Sequence, residues 1–246
     1  MVSATHSITD DFTALYCDLR QKEGRMYTDE EVAELPSISP SHPHYREWQL
    51  RKHSFTRLIA YLRKKNTALH ILEAGCGNGW LARHLANIPG SRVTALDINS
   101  VELEQAQRVF GYIESLQFVN GTIYSETVTK SSFDIIVLAA CIQYFPSLTG
   151  TIRHLFTLLK PGGEIHILDS PFYRFGKVTA AKERTASYYR DMGLPGMIKY
   201  YFHHEETDLE GLNYDVLYRP SFFNAVFLQN KNPFSWLRIK KSANSE

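Results

Sequence analysis

Cysteine is scarce in this chain, which has only Cys17, Cys76 and Cys141 among its 246 residues. An odd number of widely separated cysteines excludes a disulfide framework as the basis of the fold. None has the spacing of a metal-ligand pair, and the adjacent His203 and His204 point in different directions on any helix or strand. We therefore expect a reduced, cytoplasmic protein without a metal site.

Long apolar runs and an excess of charge are also missing. No run approaches the roughly eighteen residues that suggest a membrane span, and residues 1–6 lack the charged and apolar regions of a signal peptide. The formal net charge is only +1, which removes the electrostatic footprint of a general nucleic-acid binder. We expect neither a membrane nor a nucleic acid as a partner, and the oligomeric state stays open.

The most informative segment present is Ile71–Trp80, an apolar stretch that leads into an acidic residue and three alternating glycines, Gly75, Gly77 and Gly79. Because glycine has no Cβ, the backbone can turn tightly out of a strand and a ligand can approach it closely. Residues 69–72 predict a strand before the glycines, and apolar residues at helical spacing follow them. The segment therefore predicts a strand, a turn and a helix around a nucleotide-type cofactor.

A second predicted strand, residues 93–96, ends in Asp97, twenty residues after Gly77. A carboxylate at this strand end suits a ribose, because two neighbouring hydroxyls can each donate a hydrogen bond to it. Asn99 and Glu102 have the spacing of a capping box for the helix that follows.

The dinucleotide fingerprint needs a further glycine at the position of Trp80, and a bulky indole cannot take its packing role. The chain instead has Glu-x-Gly-x-Gly-x-Gly from Glu73, and this pattern resembles the class I, Rossmann-like S-adenosylmethionine-dependent methyltransferases. Eight consecutive apolar residues at Ile135–Ile142 fit a strand buried on both faces. Leu158–Gly163, where a predicted helix stops, resembles a signature of the small-molecule, type 11/12-like branch. The resemblance covers roughly residues 45–170.

The resemblance implies an α/β fold with a doubly wound, seven-stranded, mostly parallel sheet of order 3-2-1-4-5-7-6 and an antiparallel last strand. Residues 1–66 would form an N-terminal helical cover or lid, and residues 67–246 the cofactor-binding core, in one compact unit. Residues 171–212, between strands five and six, would form an insert that covers the substrate. Local patterns predict further elements: strands at Tyr214–Tyr218 and Trp236–Ile239, a strand at Glu164–Asp169, a helix at Tyr45–Lys64, a short helix capped by Thr28 and Glu31, and another at 221–226.

The resemblance implies that S-adenosylmethionine, and its product S-adenosylhomocysteine, would be bound by residues at the strand ends: Glu73, Gly75, Cys76, Gly77, Gly79, Asp97, Ile98, Gly121, Thr122, Ile123 and Ala140. Thr122 departs from the family pattern, which commonly has an aspartate there to meet the adenine amino group. Adenine contact would then rest on backbone groups near Gly121 and on packing by Ile98. Arg51, with Arg25 behind it, is the candidate partner of the methionine carboxylate; alternatively, both are ordinary solvated helix charges.

The cofactor carries an activated methyl group, so the implied activity is methyl transfer by in-line displacement to a small-molecule acceptor that the sequence does not identify. Two alternatives stay open: a non-catalytic S-adenosylmethionine-binding module, and a methyltransferase that acts on RNA or protein. An Asn-Pro-Pro-Tyr type motif, typical of base methylation, is replaced here by Ala140–Gln143. Aromatic residues in the insert favour an acceptor with an apolar or aromatic portion.

No catalytic residue can be assigned from the sequence. Tyr144 and Asp169 follow the fourth and fifth strands, at the edge where ligands bind in open parallel sheets, and are the candidates. A hydroxyl acceptor would need such a group, or a histidine of the insert, to take its proton, whereas an amine could lose its proton before binding. His166, in mid-strand, is predicted to be a buried core histidine.

Overall fold

The computed structural model describes residues 2–220 and 232–241, with only the backbone for residues 2–10. The strands are β1 His70–Ala74, β2 Arg92–Asp97, β3 Leu116–Asn120, β4 Phe133–Ala139, β5 Leu159–Leu168, β6 Tyr214–Tyr218 and β7 Trp236–Lys240. They form one sheet of order β3-β2-β1-β4-β5-β7-β6. The strands β1 to β5 pair in parallel, and β7 is antiparallel to both β5 and β6. The predicted fold class, strand order and strand direction are confirmed.

The helices are α1 Val2–Lys22, α2 Asp29–Glu34, α3 Tyr45–Arg63, α4 Trp80–Ala86, α5 Ser100–Phe110, α6 Leu148–Leu158 and α7 Val178–Asp191. Apolar side chains of the central strands divide between two clusters, one under α3, α4 and α5 and the other under α6. Helices therefore cover both faces of the sheet, which explains why β4 reads as a continuous apolar run. None of the helices in the described ranges has both the length and the apolar character of a membrane span.

The N-terminal helix packs against the insert rather than against the sheet. Leu19 of α1 is buried with Tyr189, Leu194 and Met197 in a third, smaller cluster. The insert itself contains α7 and two 3₁₀ turns, Pro195–Tyr200 and Glu206–Leu209. The helix predicted at 221–226 lies outside the described residues.

Two predicted boundaries were wrong at β4 and β5. The predicted apolar run continues to Ile142, but β4 ends at Ala139 because Ala140 has a φ of +57° and the chain turns into a 3₁₀ turn, Ile142–Tyr144. Helix α6 stops before residues 160–163, as predicted, but β5 begins at Leu159 rather than at Glu164 and contains these residues as a bulge: Phe133 pairs with Leu159, and Ile135 pairs with Glu164. A proline and glycines can be accommodated where a strand carries extra residues.

Candidate functional site

A cavity of about 1190 Å³ lies at the carboxyl ends of the parallel strands. Its wall combines the glycine loop after β1, the tips of β2, β4 and β5, one side of α1 and α3, and parts of the insert. Ligand pockets commonly measure roughly 300–1,000 Å³. The cavity is therefore large enough for a nucleoside-type cofactor together with a second small molecule.

The predicted cofactor residues on the cavity wall are Glu73, Gly75, Cys76, Gly77, Asp97, Ile98, Gly121, Thr122, Ile123, Ala140 and Arg51. Tyr144 and Asp169 line it as well. Gly79 is not part of the wall. A Cβ added to Gly79 would lie 2.7 Å from the ring of Phe118, and the residue has a φ of +74°. Gly79 is therefore a packing residue: the absence of a side chain lets α4 begin close to β3.

The glycine loop and the tip of β2 are joined by backbone hydrogen bonds. The amides of Gly75 and Cys76 both donate to the carbonyl of Leu96. The amide of Gly77 donates to Oδ2 of Asp97 at 2.7 Å, and the amide of Asn99 donates to Oδ1 at 2.9 Å. Burial raises the pKa of Asp97, against these backbone donors, which favour the ionised form. The carboxylate is thus held in one orientation at the cavity wall.

Glu73, at the end of β1, is buried, with 2% of its surface exposed. Its Oε2 atom has no hydrogen-bond partner among the described residues. Burial raises the pKa of this carboxyl well above its ordinary value, and the charge of Asp97 adds to the effect. A buried acceptor without a donor is costly, so this oxygen is suited to a ligand that brings N–H groups or a positive charge.

Glu102 is a cavity residue that the sequence reasoning placed elsewhere. The Asn99 side chain does cap α5 by accepting from the amides of Val101 and Glu102. The reciprocal half of the predicted capping box is wrong, because the Asn99 amide is already bonded to Asp97. The Glu102 carboxylate instead accepts from Asn99 Nδ2 at 3.3 Å and lines the cavity beside Gly77. Burial raises its pKa to about 7, against the opposing charge of Arg20.

Five charged side chains from α1 to α3 form an ion-pair ladder along the cavity wall: Arg20, Glu23, Arg25, Glu47 and Arg51. Arg25 joins its two halves, with Nη2 2.5 Å from Glu47 and Nε 3.1 Å from Glu23. Arg51 lies 3.0 Å from Glu47 and over the ring of Trp48. Burial alone would raise the pKa of Glu47, but its bond to Arg25 and the charge of Arg51 lower it to about 2. Arg25 and Arg51 are therefore paired wall residues rather than freely solvated helix charges.

A group of aromatic side chains borders the cavity where α1 meets the insert. Phe12 lies 5.4 Å from Tyr144 and 5.2 Å from Tyr200 between ring centroids, and Tyr16 lies 5.7 Å from Tyr144. Tyr201 completes the group, 6.1 Å from Tyr144. The sequence reasoning missed the α1 members. Their spacing was a usable signal, because Phe12, Tyr16 and Arg20 recur every four residues on one helical face.

Asp169 follows β5 with a φ of +52°. Ser54 of α3 donates to its Oδ1 at 2.6 Å, and Asn232 donates through Nδ2 to the same oxygen and to Ser54. Burial raises the pKa of Asp169, and the hydrogen bond from Ser54 opposes this. Three separate parts of the chain therefore meet at one carboxylate on the cavity wall.

The remaining sequence candidates are engaged elsewhere. The amide of Thr122 donates to Ser125 Oγ at 2.9 Å, so it is not open to an adenine. His204 bonds the carbonyl of Ile142, and His203 bonds Thr185; neither borders the cavity.

His166 is fully buried, as predicted, and belongs to a polar network with Glu164 and Trp236. The indole N–H of Trp236 donates to its Nδ1 at 3.1 Å, so a neutral imidazole carries its proton on Nε2, 3.3 Å from Glu164.

Comparison with known proteins supports the assignment of the domain. Residues 71–163 match the model of a methyltransferase domain family. The chain is 28% identical over 147 residues to a malonyl-[acyl-carrier protein] O-methyltransferase of Halalkalibacterium halodurans, covering 56% of this chain and 54% of that protein. It is 28% identical over 129 residues to a sterol 24-C-methyltransferase of Gibberella zeae, covering 51% and 33%. The chain thus spans about half or less of these curated relatives.

Solved structures show the same fold at low sequence identity. The geranyl diphosphate C-methyltransferase of Streptomyces coelicolor aligns with a TM-score of 0.58 at 12% identity, over 82% of this chain and 81% of that one. The YcgJ protein of Bacillus subtilis aligns with a TM-score of 0.55 at 18% identity, over 68% and 71%. Residues 71–163 therefore carry a methyltransferase domain, and the sheet order and the glycine loop are those of the class I, S-adenosylmethionine-dependent fold.

Proposed function

We propose that this chain transfers a methyl group from S-adenosylmethionine to a small molecule. The observation that carries the proposal is the unpartnered Oε2 of Glu73 beside a glycine loop that leaves no room for a side chain. A Cβ on Gly75 would come within 2.8 Å of Cys141, and φ is +77° there. The loop therefore lets a ligand approach the backbone directly, next to a carboxyl that needs a donor.

The residues present fit the proposed cofactor. Glu73 would accept from its ammonium group, and Asp97 would accept from the ribose hydroxyls, since each of its oxygens keeps a further lone pair after binding one backbone amide. Arg51 would bind the methionine carboxylate while it keeps its ion pair with Glu47. Ile98 and Ile123 would pack against the adenine. Gly79 would support the loop by allowing it to pack closely against the ring of Phe118.

When bound, the cofactor supplies an activated methyl group. The chain's own contribution is to orient the acceptor and exclude water. The face of α1 that carries Phe12 and Tyr16 and the insert residues Tyr200 and Tyr201 would do this, because they line the same cavity as the glycine loop. We propose that residues 67–246 form the cofactor-binding core. Residues 1–66, together with the insert at residues 171–212 of that core, act as a cover over the cavity.

Such a cover would favour a small acceptor over RNA or protein. Three unpaired thiols suit a reducing compartment, and we propose the cytoplasm as the location.

Calorimetric titration tests the cofactor site. We expect S-adenosylhomocysteine to bind more tightly than 5′-methylthioadenosine, which lacks the amino-acid portion and so cannot reach Glu73 and Arg51. Absence of heat with both ligands at millimolar concentration would refute the proposal. Labelled S-adenosylmethionine incubated with metabolite pools then separates an enzyme from a binding module, because only an enzyme yields labelled acceptors.

A further inference from the structure

We propose that Asp169 is the catalytic base for methyl transfer in this cavity, and that the methyl acceptor is a hydroxyl compound with an aromatic body. This inference rests on the proposed methyl transfer. The juxtaposition that carries it is one partly buried carboxylate, held by Ser54 and Asn232, in the same cavity as the aromatic group of α1 and the insert.

In the described part of the chain, Asp169 is held by hydrogen bonds and by no ion pair. Burial raises the pKa of its carboxyl, and the hydrogen bond from Ser54 and the charge of Arg51 oppose this. Both of these hydrogen bonds, from Ser54 and Asn232, reach Oδ1, so Oδ2 has no partner among the described residues. Their donors, a hydroxyl and an amide, are neutral, and no basic side chain within residues 11–220 or 232–241 forms an ion pair with this carboxylate. Oδ2 of this cavity-lining carboxylate can therefore take a proton.

The other candidates that the sequence offered for a base do not meet this requirement. Tyr144 lines the cavity, but burial raises the pKa of its phenol, so it stays protonated and cannot accept a proton as a phenolate. His203 and His204 of the insert are bonded to Thr185 and to the Ile142 carbonyl, away from the cavity. Burial raises the pKa of Asp169 and makes its carboxylate a stronger base.

The need for a base selects the acceptor. A carboxylate acceptor would be repelled by Asp169. An amine can lose its proton before it binds and needs no base at the site, whereas a hydroxyl must lose its proton during the transfer. A neutral hydroxyl adds no charge on binding. Tyr16 and Tyr201 each pack edge to face with Tyr144, and the three rings line the cavity with aromatic surface that suits a flat aromatic body.

The proton balance is simple. As the acceptor oxygen bonds to the methyl carbon, its O–H bond breaks and the proton passes to Asp169. The electron pair of the broken carbon–sulfur bond stays on sulfur. The carboxylate loses its negative charge and the sulfonium its positive charge, so the total is unchanged. Ser54 and Asn232 act as positioning residues.

The test uses 4-nitrophenol as a chromophoric probe on protein saturated with S-adenosylhomocysteine. Beside the Asp169 carboxylate, the bound probe should remain a phenol to higher pH than in water, with an apparent pKa raised by about one unit, equivalent to a tenfold lower phenolate fraction at low phenolate. In Asp169→Asn this shift should disappear. Ser54→Ala should give a smaller shift, and Ser54→Thr should restore it. A probe that does not bind at millimolar concentration, or titrates identically in wild type and Asp169→Asn, overturns the inference.

Calorimetry separates this inference from the proposed function. Asp169→Asn should bind S-adenosylhomocysteine within about twofold of wild type; a tenfold loss would assign Asp169 to the cofactor site and overturn the inference while methyl transfer stands. Failure of wild type to bind S-adenosylhomocysteine would instead refute the proposed function. In assays with pooled phenols, Asp169→Asn should lower kcat by about 10²-fold or more and remove the acidic limb of the pH profile. Transfer to amines alone would contradict the assignment.

Discussion

The backbone amide of Gly77 donates a 2.7 Å hydrogen bond to the carboxylate of Asp97. This bond connects the glycine loop after β1 to the tip of β2, the two parts of the chain that the proposed cofactor would bridge. One residue thus shapes the loop and offers acceptor oxygens to a ligand.

Replacing Asp97 by asparagine should weaken S-adenosylhomocysteine binding by about 10- to 100-fold, or about 1.4–2.8 kcal/mol, because a charge-assisted acceptor becomes a neutral amide. Calorimetry measures the change. Asp191→Asn, at the exposed end of α7, removes the same charge as a control and should leave the affinity unaltered. Equal affinities for Asp97→Asn and wild type would exclude Asp97 from the ribose site.

Glu73 should destabilise the ligand-free protein at high pH. Its folded-state pKa is raised well above the ordinary value, so the folded state holds a proton that the unfolded state releases, and the free energy of unfolding falls as pH rises above about 4.5. Glu73→Gln should therefore increase this free energy at pH 8 by about 1–3 kcal/mol, with little effect at pH 4.

Chemical denaturation at the two pH values checks the Glu73 prediction, with the exposed Glu114→Gln as the matched control. The same variant should bind S-adenosylhomocysteine more weakly but 5′-methylthioadenosine unchanged. A loss of stability at pH 8 would contradict the assigned ionisation.

Gly79→Ala should lower the free energy of unfolding by about 1–3 kcal/mol, because its Cβ would meet the Phe118 ring at 2.7 Å and its φ is +74°. Affinity for S-adenosylhomocysteine in the folded protein should change little, since Gly79 does not border the cavity. Adding Phe118→Leu should recover part of the loss by removing the clash. Strongly weakened binding at unchanged stability would instead make Gly79 a ligand-contact residue.

Glu164 should make the free energy of unfolding fall at acidic pH. Burial would raise its pKa, but hydrogen bonds from His166 and Lys65 outweigh this and lower it to about 2. Its contribution is therefore complete above pH 4.5 and is lost as the pH falls towards 2. Glu164→Gln should cost about 1–3 kcal/mol at pH 7 after allowance for solvent screening.

The difference between Glu164→Gln and wild type should shrink at pH 3 in denaturation experiments. Glu114→Gln should show no such pH dependence, because its side chain is exposed. A constant difference between pH 7 and pH 3 would mean that the Glu164 carboxylate is not stabilised by its neighbours.

The sheet and the glycine loop were predictable because their signals are local. Alternating glycines after a short apolar strand, an acid at the next strand end and a continuous apolar run each depend on a few neighbouring residues. The family resemblance then supplied the strand order. Asp97 and Glu73 could be placed at the cavity because the carboxyl ends of parallel strands meet at one edge.

Other parts of the site depend on contacts distant in sequence. Tyr16 and Arg20 reach the cavity only because α1 packs on the insert, more than 160 residues further along the chain. Glu102 followed a local capping rule that failed when Asp97 took the Asn99 amide. Residues 160–163 carry turn signals, yet strand pairing on either side absorbs them as a bulge. In the first and third cases a tertiary contact decided the outcome, whereas for Glu102 a competing local hydrogen bond, between residues two apart, outweighed the capping preference.

The cluster that holds α1 to the insert shares no fully buried residue with the two clusters under the sheet. Helix α1 and the part of the insert that it packs against, residues 189–197, can therefore come away as a local unfolding unit while the strand ladders stay intact. Ligand exchange and global denaturation would then be governed by separate free energies. Release rates report how firmly Leu19 is packed against the insert, whereas denaturation midpoints report the sheet.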